Sequence, residues 1–341
     1  MPVSEPSWWY GRRGAWQAVL LSPVAALFGV IASRRILNAK PYRSTLPVIC
    51  VGNFTAGGSG KTPLALLLGK LVAEDGREPW FLSRGYGGKL EGPARVDLAR
   101  HEASDVGDEP LLLARAFPTV IARDRRKGAE AIEAWAPKSA VIIMDDGLQN
   151  PALAKDLSIA VVDAMRGLGN GHVIPAGPLR APIEVQMRLA QLIVITNRQQ
   201  LRETLAAKTI RQLTDAPVVL ASTRAMDGSR FRGKRVLAFA GIANPDRFFA
   251  TLAEAGANIL RCEAFADHHP FSEAEARELL ERANRLGATL VTTEKDIARL
   301  SGRSGFCADL KKRSETLAIE TIIEGDGLDA LRSALRRVLS R

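Results

Sequence analysis

The chain has 341 residues, of which 25% are charged and 46% apolar, and its formal net charge is +10. That composition excludes a disordered chain, and the length allows two domains with proper cores. The positive balance suits an anionic partner such as nucleotide or acidic lipid. Nucleic acid is set aside, because only three Tyr are present and no basic stretch is interleaved with aromatics for base stacking. Cys50, Cys262 and Cys307 are scattered, without a CxxC pair, and read as reduced residues in a cytoplasmic setting.

The N-terminus departs from ordinary soluble protein. Trp8, Trp9 and Trp16 stand beside Tyr10, Arg12 and Arg13, and no charge occurs from Gly14 to Ser33 before Arg34 and Arg35. Twenty helical residues measure roughly 30 Å, about the hydrocarbon thickness of a bilayer. Gln17, Ser22 and Pro23 interrupt the run, and a buried core helix is the alternative. Terminal aromatics and arginines favour a helix embedded in, or lying on, the cytoplasmic face of a membrane. A cleaved signal peptide is set against by the nucleotide loop that follows closely and needs cytoplasmic ATP.

From Val48 the pattern becomes α/β. Val48 to Val51 reads as a buried parallel strand, Gly57-Gly58-Ser59-Gly60 as a glycine turn, and Lys61-Thr62 opens a helix carrying Leu64 to Val72. Strand, glycine loop and helix N-terminus make an anion cradle in which backbone N–H groups converge on phosphate. The nucleotide loop therefore comprises Thr55, Ala56, Gly57, Gly58, Ser59, Gly60, Lys61 and Thr62. Lys61 reaches the β/γ-phosphates and the Thr62 hydroxyl holds Mg²⁺. The usual spacing asks for glycine where this chain has Thr55, so a capping turn with an accidental Gly-Lys-Thr is the competing reading.

Trp80 to Leu82 is a second strand, followed by the glycine-rich Ser83 to Gly88, and Gly107-Asp-Glu-Pro110 opens another helix. Ala140 to Met144 is a strand ending in Asp145-Asp146, the form of a Walker B element whose carboxylates meet Mg²⁺ or its water shell. Strands recur at Ile159 to Val162 and Leu192 to Ile195, and the Gly/Pro-rich segment from Arg166 to Arg180 lies between them. So long an irregular loop inside a compact domain is a functional candidate. A polar stretch from Asp227 to Lys234 reads as a hinge, and a second α/β set follows with strands at 236–240 and 289–292. Ser272 and Glu275 form a capping box. The expected organisation is a membrane-associating helix over 1–35, a P-loop kinase domain over 36–226 with a mostly parallel sheet, and a smaller α/β domain over 227–341.

The blocks VGNFTAGGSGKTP, SRGYGG, GDEP, MDDGLQ, GNGHVIPAGPLR, AFAGIANPDRFF, DHHPF and TTEKD fall in this order between Val51 and Asp296. Together they closely resemble the tetraacyldisaccharide 4′-kinase family, the lipid A 4′-kinases of Gram-negative bacteria. The resemblance implies transfer of phosphate from ATP to the 4′-hydroxyl of an acylated disaccharide 1-phosphate, a phospholipid substrate, at the cytoplasmic face of the inner membrane. It places the loop lysine and threonine at Lys61 and Thr62, the base at Asp108, its partner histidine at His268, and Asp267 holding that histidine. Glu109, Asp145 and Asp146 fall near Mg²⁺ in the same resemblance. Leu148 stands where phenylalanine is common and Phe54 where an aliphatic residue is usual.

Chemistry supports these roles in part. A sugar hydroxyl titrates far above neutrality, so its transfer benefits from a carboxylate that accepts the proton late. Lys61, Mg²⁺ and arginines among Arg84, Arg125 and Arg180 supply the positive charge. Asp108 is equally ordinary capping chemistry at a helix start, and His268-His269 equally a solvated turn; the resemblance decides both. A membrane-recruited ATPase switch of the partition-protein type is the other reading of GG-x-GKT, but it would place lysine at Ala56. A GTPase would need N-K-x-D or T-K-x-D, and Thr293-Glu-Lys-Asp296 has another order.

Overall fold

The computed structural model describes residues 6–11, 16–197 and 204–340. Arg12, Arg13 and Gly14 of the expected membrane-facing set lie outside the described residues. Among the described residues the strands form two sheets. The larger takes strands β1 (Val48–Asn53), β2 (Glu78–Ser83), β3 (Ala94–Arg95), β4 (Thr119–Ile121), β5 (Ala140–Asp145), β6 (Leu157–Asp163), β7 (Leu192–Asn197) and β8 (Val218–Ala225). The smaller takes β9 (Arg235–Ala240), β10 (Asn258–Ala264), β11 (Thr289–Thr293) and β12 (Ser314–Leu317), and β13 (Ile319–Ile322) returns to the larger.

The large sheet runs β13-β8-β7-β6-β1-β5-β2-β4-β3, parallel except at its two edge pairs, β13–β8 and β3–β4. Its central strands are buried along their whole length, as apolar runs covered on both faces must be. Among the described residues twelve α-helices connect or cover the strands: α1 (Trp16–Leu37), α2 (Lys61–Glu74), α3 (Ala103–Val106), α4 (Asp108–Ala114), α5 (Arg125–Trp135), α6 (Ile183–Met187), α7 (Leu205–Leu213), α8 (Pro245–Glu254), α9 (Glu273–Leu286), α10 (Glu294–Leu300), α11 (Gly305–Arg313) and α12 (Asp326–Leu339). On one face Leu64 and Leu68 of α2 share a core with Leu331 and Leu335 of α12. The other face buries Ala129 and Ile132 of α5. The span 227–341 therefore divides between the sheets: β9 to β12 build the small one, whereas β13 and α12 belong to the large one. The crossing is tight, because only Ala318 separates β12 from β13, and its carbonyl accepts the Met226 N–H at 2.9 Å.

Helix α1 is attached by its small residues and shows its large ones. Ala18, Ala25 and Gly29 are buried, and the Gly29 face meets Pro182 and Val173. Trp16, Leu20, Leu27 and Ile31 are exposed. It is a helix long and apolar enough to cross a membrane, with mean hydropathy 1.7 and 17% of that window buried. Just before it, Trp9 donates its indole N–H to Pro175 O at 3.2 Å, and the Tyr10 hydroxyl reaches Ala56 O at 3.5 Å.

Candidate functional site

Strand β1 lies between β5 and β6, with Val51 in register with Asp145 and Asn53 with Val161. Its C-terminal end therefore delivers the chain into the loop where two neighbouring strand tips converge, the usual ligand position of an open parallel sheet. Gly57 and Gly60 adopt φ of 88° and 87°, a left-handed conformation that costs glycine little. Thr55 is not among the left-handed positions. It bridges to Leu179, while the Ala56 N–H donates to Pro178 O at 2.7 Å and the Arg180 N–H to Phe54 O at 3.0 Å. An extended segment paired in this way suits a β-branched residue, which is why threonine fits where a phosphate loop usually has glycine. The long 166–180 loop is thus the outer support of the phosphate loop.

Lys61 and Thr62 open α2 and are buried. Lys61 Nζ lies 3.7 Å from Asp146 Oδ1. Asp146 sits at φ 51° beyond β5 and takes a bidentate pair from Arg180, at 2.7 and 3.2 Å, while Arg180 Nε donates to Thr55 O at 3.1 Å. Burial works against the Asp146 charge, but Lys61 and Arg180 outweigh it and hold the carboxyl well below the usual range. Asp145 differs. It is 1% exposed and neither carboxylate oxygen has a hydrogen-bond partner. Burial first, then Glu109 and Asp146, push it up to about 7.

Across the cleft Asp108 heads α4, whose N-cap Gly107 has φ 91°. Asp108 Oδ1 lies 3.3 Å from His268 Nδ1, and Oδ2 accepts from Arg299 Nε at 2.8 Å. His268 Nε2 lies 3.7 Å from Asp267 Oδ2, and the Tyr86 ring stands 5.1 Å from the imidazole. Burial opposes charge on both members of the Asp108–His268 pair. Mutual attraction prevails, assisted by Arg299 and Lys295 on one side and Asp267 on the other, so the carboxyl is held well below its ordinary value and the imidazole above it. Glu109 is ion-paired with Lys295 Nζ at 2.6 Å.

Both ends line one cavity of about 560 Å³, bounded by Gly57–Pro63, Glu109, Asp146, Asp267, His268 and Lys295 among others. Its volume suits a drug-sized or nucleotide ligand. Of the residues expected at the catalytic positions, Lys61, Asp267 and His268 thus face one space, and Asp108 lies buried directly behind His268. Of the expected metal set, Thr62 heads α2, Asp145 is unpartnered, Asp146 is committed to Arg180 and Glu109 to Lys295. Among the described residues no cluster of three or more His, Cys, Asp or Glu forms a ready cation cage. Mg²⁺ seldom uses such a cage, since one or two carboxylates with substrate phosphates and waters suffice. A buried aspartate lacking a hydrogen-bond partner is the kind of donor such a site uses, so the residues fit the metal. Of the three arginines in question, Arg180 braces Asp146. Arg125 is buried, donates to Ala122 O and is pushed down to about 10 by burial, with Asp145 and Asp146 its nearest opposing charges. Arg84 is exposed.

Three cationic contributors, Lys295, Arg299 and Arg247, were not anticipated. Lys295 and Arg299 lie one helical turn apart on α10, where i, i+4 spacing presents both to the adjacent Asp108 and Glu109. Arg247 Nη1 pairs with Asp163 Oδ2 at 2.8 Å and its Nη2 donates to Thr223 at 2.6 Å, fastening α8 to the tips of β6 and β8. The spacing within TTEKDIARL was a legible signal for one cationic helix face; its target was not.

The family model of tetraacyldisaccharide-1-P 4′-kinase matches residues 17–339 of the chain. A tetraacyldisaccharide 4′-kinase of Afipia carboxidovorans is 45% identical over 340 residues, 98% of this chain and 98% of its own. One of Methylobacterium nodulans is 52% identical over 301 residues, 87% of this chain and 88% of its own. The crystal structure of Aquifex aeolicus LpxK in complex with ATP aligns with a TM-score of 0.71 at 25% identity, covering 94% of this chain and 99% of that one.

Proposed function

The chain belongs to the tetraacyldisaccharide 4′-kinase family, and from that premise we propose how its two cleft walls divide the work. It is a lipid A 4′-kinase: ATP phosphorylates the 4′-hydroxyl of tetraacyldisaccharide 1-phosphate, giving lipid IV-A. The switch-type ATPase reading is not favoured, since Ala56 occupies the position that reading gives to lysine. The assignment of roles rests on the Asp108–His268 pair at 3.3 Å, whose histidine faces the phosphate loop across one cavity.

The backbone of residues 55–60 and Lys61 hold the triphosphate, the helix dipole of α2 adding to the lysine charge. Thr62 and Asp145 would hold Mg²⁺, with Glu109 beside them paired to Lys295, and the ion would supply neutralisation of the phosphate charge. Asp146 is the brace that keeps Lys61 and Arg180 aimed inward. As the bond from the 4′-oxygen to the γ-phosphorus forms and the bond from that phosphorus to the β-bridging oxygen breaks, the hydroxyl proton passes to Asp108 Oδ1. In a loose transition state that transfer comes late, so the carboxylate's placement matters more than a high basicity. His268 orients Asp108, and Asp267 fixes His268.

Helix α1 brings this cleft to the cytoplasmic face of the inner membrane, where the lipid acceptor resides. Its exposed Trp16, Leu20, Leu27 and Ile31 are the contact surface, and Arg34 and Arg35 in its last turn meet anionic head groups. The direct test incubates purified protein with ATP, Mg²⁺ and the disaccharide lipid in detergent micelles and follows γ-phosphate into the lipid. Product phosphorylated at the 4′-position is expected. ATP turnover without phosphate in the lipid would contradict the assignment.

A further inference from the structure

The two oxygens of Asp108 are treated differently. Oδ1 faces His268 and accepts the Glu109 N–H at 3.0 Å. Oδ2 is taken up by Arg299, through Nε at 2.8 Å and through Nη2. Arg299 is itself held from behind. Its remaining Nη1 donates to Asp296 Oδ1 at 2.9 Å and to the Gly241 carbonyl. Asp296 is 0% exposed, and it accepts from Thr292 Oγ1 at 3.0 Å, Thr293 Oγ1 at 2.6 Å and Gly241 N at 3.1 Å.

A fully buried aspartate, an anchored guanidinium and the cleft carboxylate therefore stand in series. Every link is a hydrogen bond to a charged group, the stronger kind. A guanidinium is planar and its donors have a fixed fork, so anchoring one edge sets the direction of the other. Lysine in the same place would offer a point charge and no direction. The carboxylate of Asp108 turns about its own side-chain bonds unless one oxygen is pinned. Lys295, which lines the adjacent cavity and attracts the Asp108 charge, is a second cation toward which it could swing.

We propose that Arg299 is a positioning residue for phosphoryl transfer: held by Asp296 and the Gly241 carbonyl, it occupies Oδ2 of Asp108 and so presents Oδ1 alone to the acceptor hydroxyl. This rests on the reading of Asp108 as the proton acceptor. The bland alternative is a bolt between α4 and α10 that serves only to hold the two units together. The two roles differ in what happens once the carboxylate is no longer a base.

The experiment measures kcat and both KM values in the detergent assay for the parent, Arg299→Lys, Arg299→Gln, Asp108→Asn and the Asp108→Asn/Arg299→Gln double variant. Misplacement of a reacting group by about 1 Å costs roughly 100-fold. Arg299→Lys and Arg299→Gln should therefore each lower kcat by about 10- to 100-fold, with KM for ATP within about twofold of the parent. In the Asp108→Asn background, Arg299→Gln should cost less than about threefold more, because residues acting as a unit are not additive. Arg299→Lys keeps the charge and guards against loss of folding in the glutamine variant. Parent-like kcat in both arginine variants would overturn the proposal, as would an equal loss in the two backgrounds. Parent-like turnover by Asp108→Asn alone would instead remove the base assignment beneath it, a result distinguishable from either.

Discussion

Two aspartates behind opposite sides of the cleft are equally buried and differently served. Asp145, at the tip of β5, is 1% exposed and has no hydrogen-bond partner; Asp108, at the start of α4, is 3% exposed and has both oxygens engaged. Burial raises the cost of charge on both. On Asp145 burial dominates, Glu109 and Asp146 add to it, and Lys61 and Lys295 offset it only in part, so the group is pushed up to about 7. On Asp108 His268, Arg299 and Lys295 more than offset it, and the group stays ionised far into acid. The Asp108 side is thus satisfied within the polypeptide, whereas the nucleotide side contains a carboxylate without a hydrogen-bond partner. Unpartnered buried polar groups in native proteins call for a functional reason, and the cation proposed to arrive with nucleotide would supply it.

The contrast can be broken hardest at the acceptor wall. Asp108→Ala and His268→Ala should each lower kcat by roughly 10²- to 10⁴-fold, the range of acid–base work. Their double variant should be hardly worse than either, with KM for ATP little changed. Multiplying losses in the measured kcat values would show two independent residues.

At the nucleotide wall, Lys61→Ala should reduce kcat by roughly 10²- to 10³-fold, as loss of one preorganised donor does. Folding should survive, because Asp146 keeps its bidentate Arg180. Turnover near that of the parent at saturating ATP would rule out Lys61 as a phosphate ligand.

The smallest effect on either wall should come from α1. Replacing the exposed Leu20, Leu27 and Ile31 by serine should leave kcat in detergent unchanged. Cosedimentation with anionic vesicles should fall by at least about 10-fold, since each buried aliphatic side chain is worth roughly 1.5–3 kcal/mol. Undiminished vesicle binding would locate the attachment elsewhere.

Much of the nucleotide wall was legible in the sequence because it is local. Strand, glycine turn and helix lie within Val48 to Val72, and each obeys a short-range rule. Asp145-Asp146 was legible as a strand tip for the same reason, but not the different fates of the pair. Those depend on Arg180, which reaches Asp146 only because the 166–180 loop folds back along Phe54 to Ala56. The acceptor wall is nonlocal throughout. Asp108 meets partners on α10 and in the DHHPF turn, and neither spacing nor periodicity reports such pairings; family resemblance alone brought His268 forward, and nothing brought Arg299 or Lys295. The return of β13 and α12 to the large sheet escaped notice because one residue, Ala318, makes the crossing without any composition shift.

One carboxylate is satisfied by the protein and the other is not, and the difference in sign can be read from thermal unfolding. Asp145 binds its proton more tightly folded than unfolded. Its contribution to stability is therefore complete below its ordinary 3.8 and is lost as pH rises through about 7. Asp108 runs the other way, contributing above 3.8 and losing that contribution as pH falls below it. Melting temperatures of the parent, Asp145→Asn and Asp108→Asn, taken at pH 5 and pH 8 without nucleotide or metal, decide between them. At pH 8 Asp145→Asn should melt above the parent, by a margin that shrinks toward pH 5. Asp108→Asn should melt below it, because Arg299 loses a charged partner in a buried pair, a loss of up to roughly 3 kcal/mol. Shifts of the same sign for the two variants at pH 8 would contradict the account.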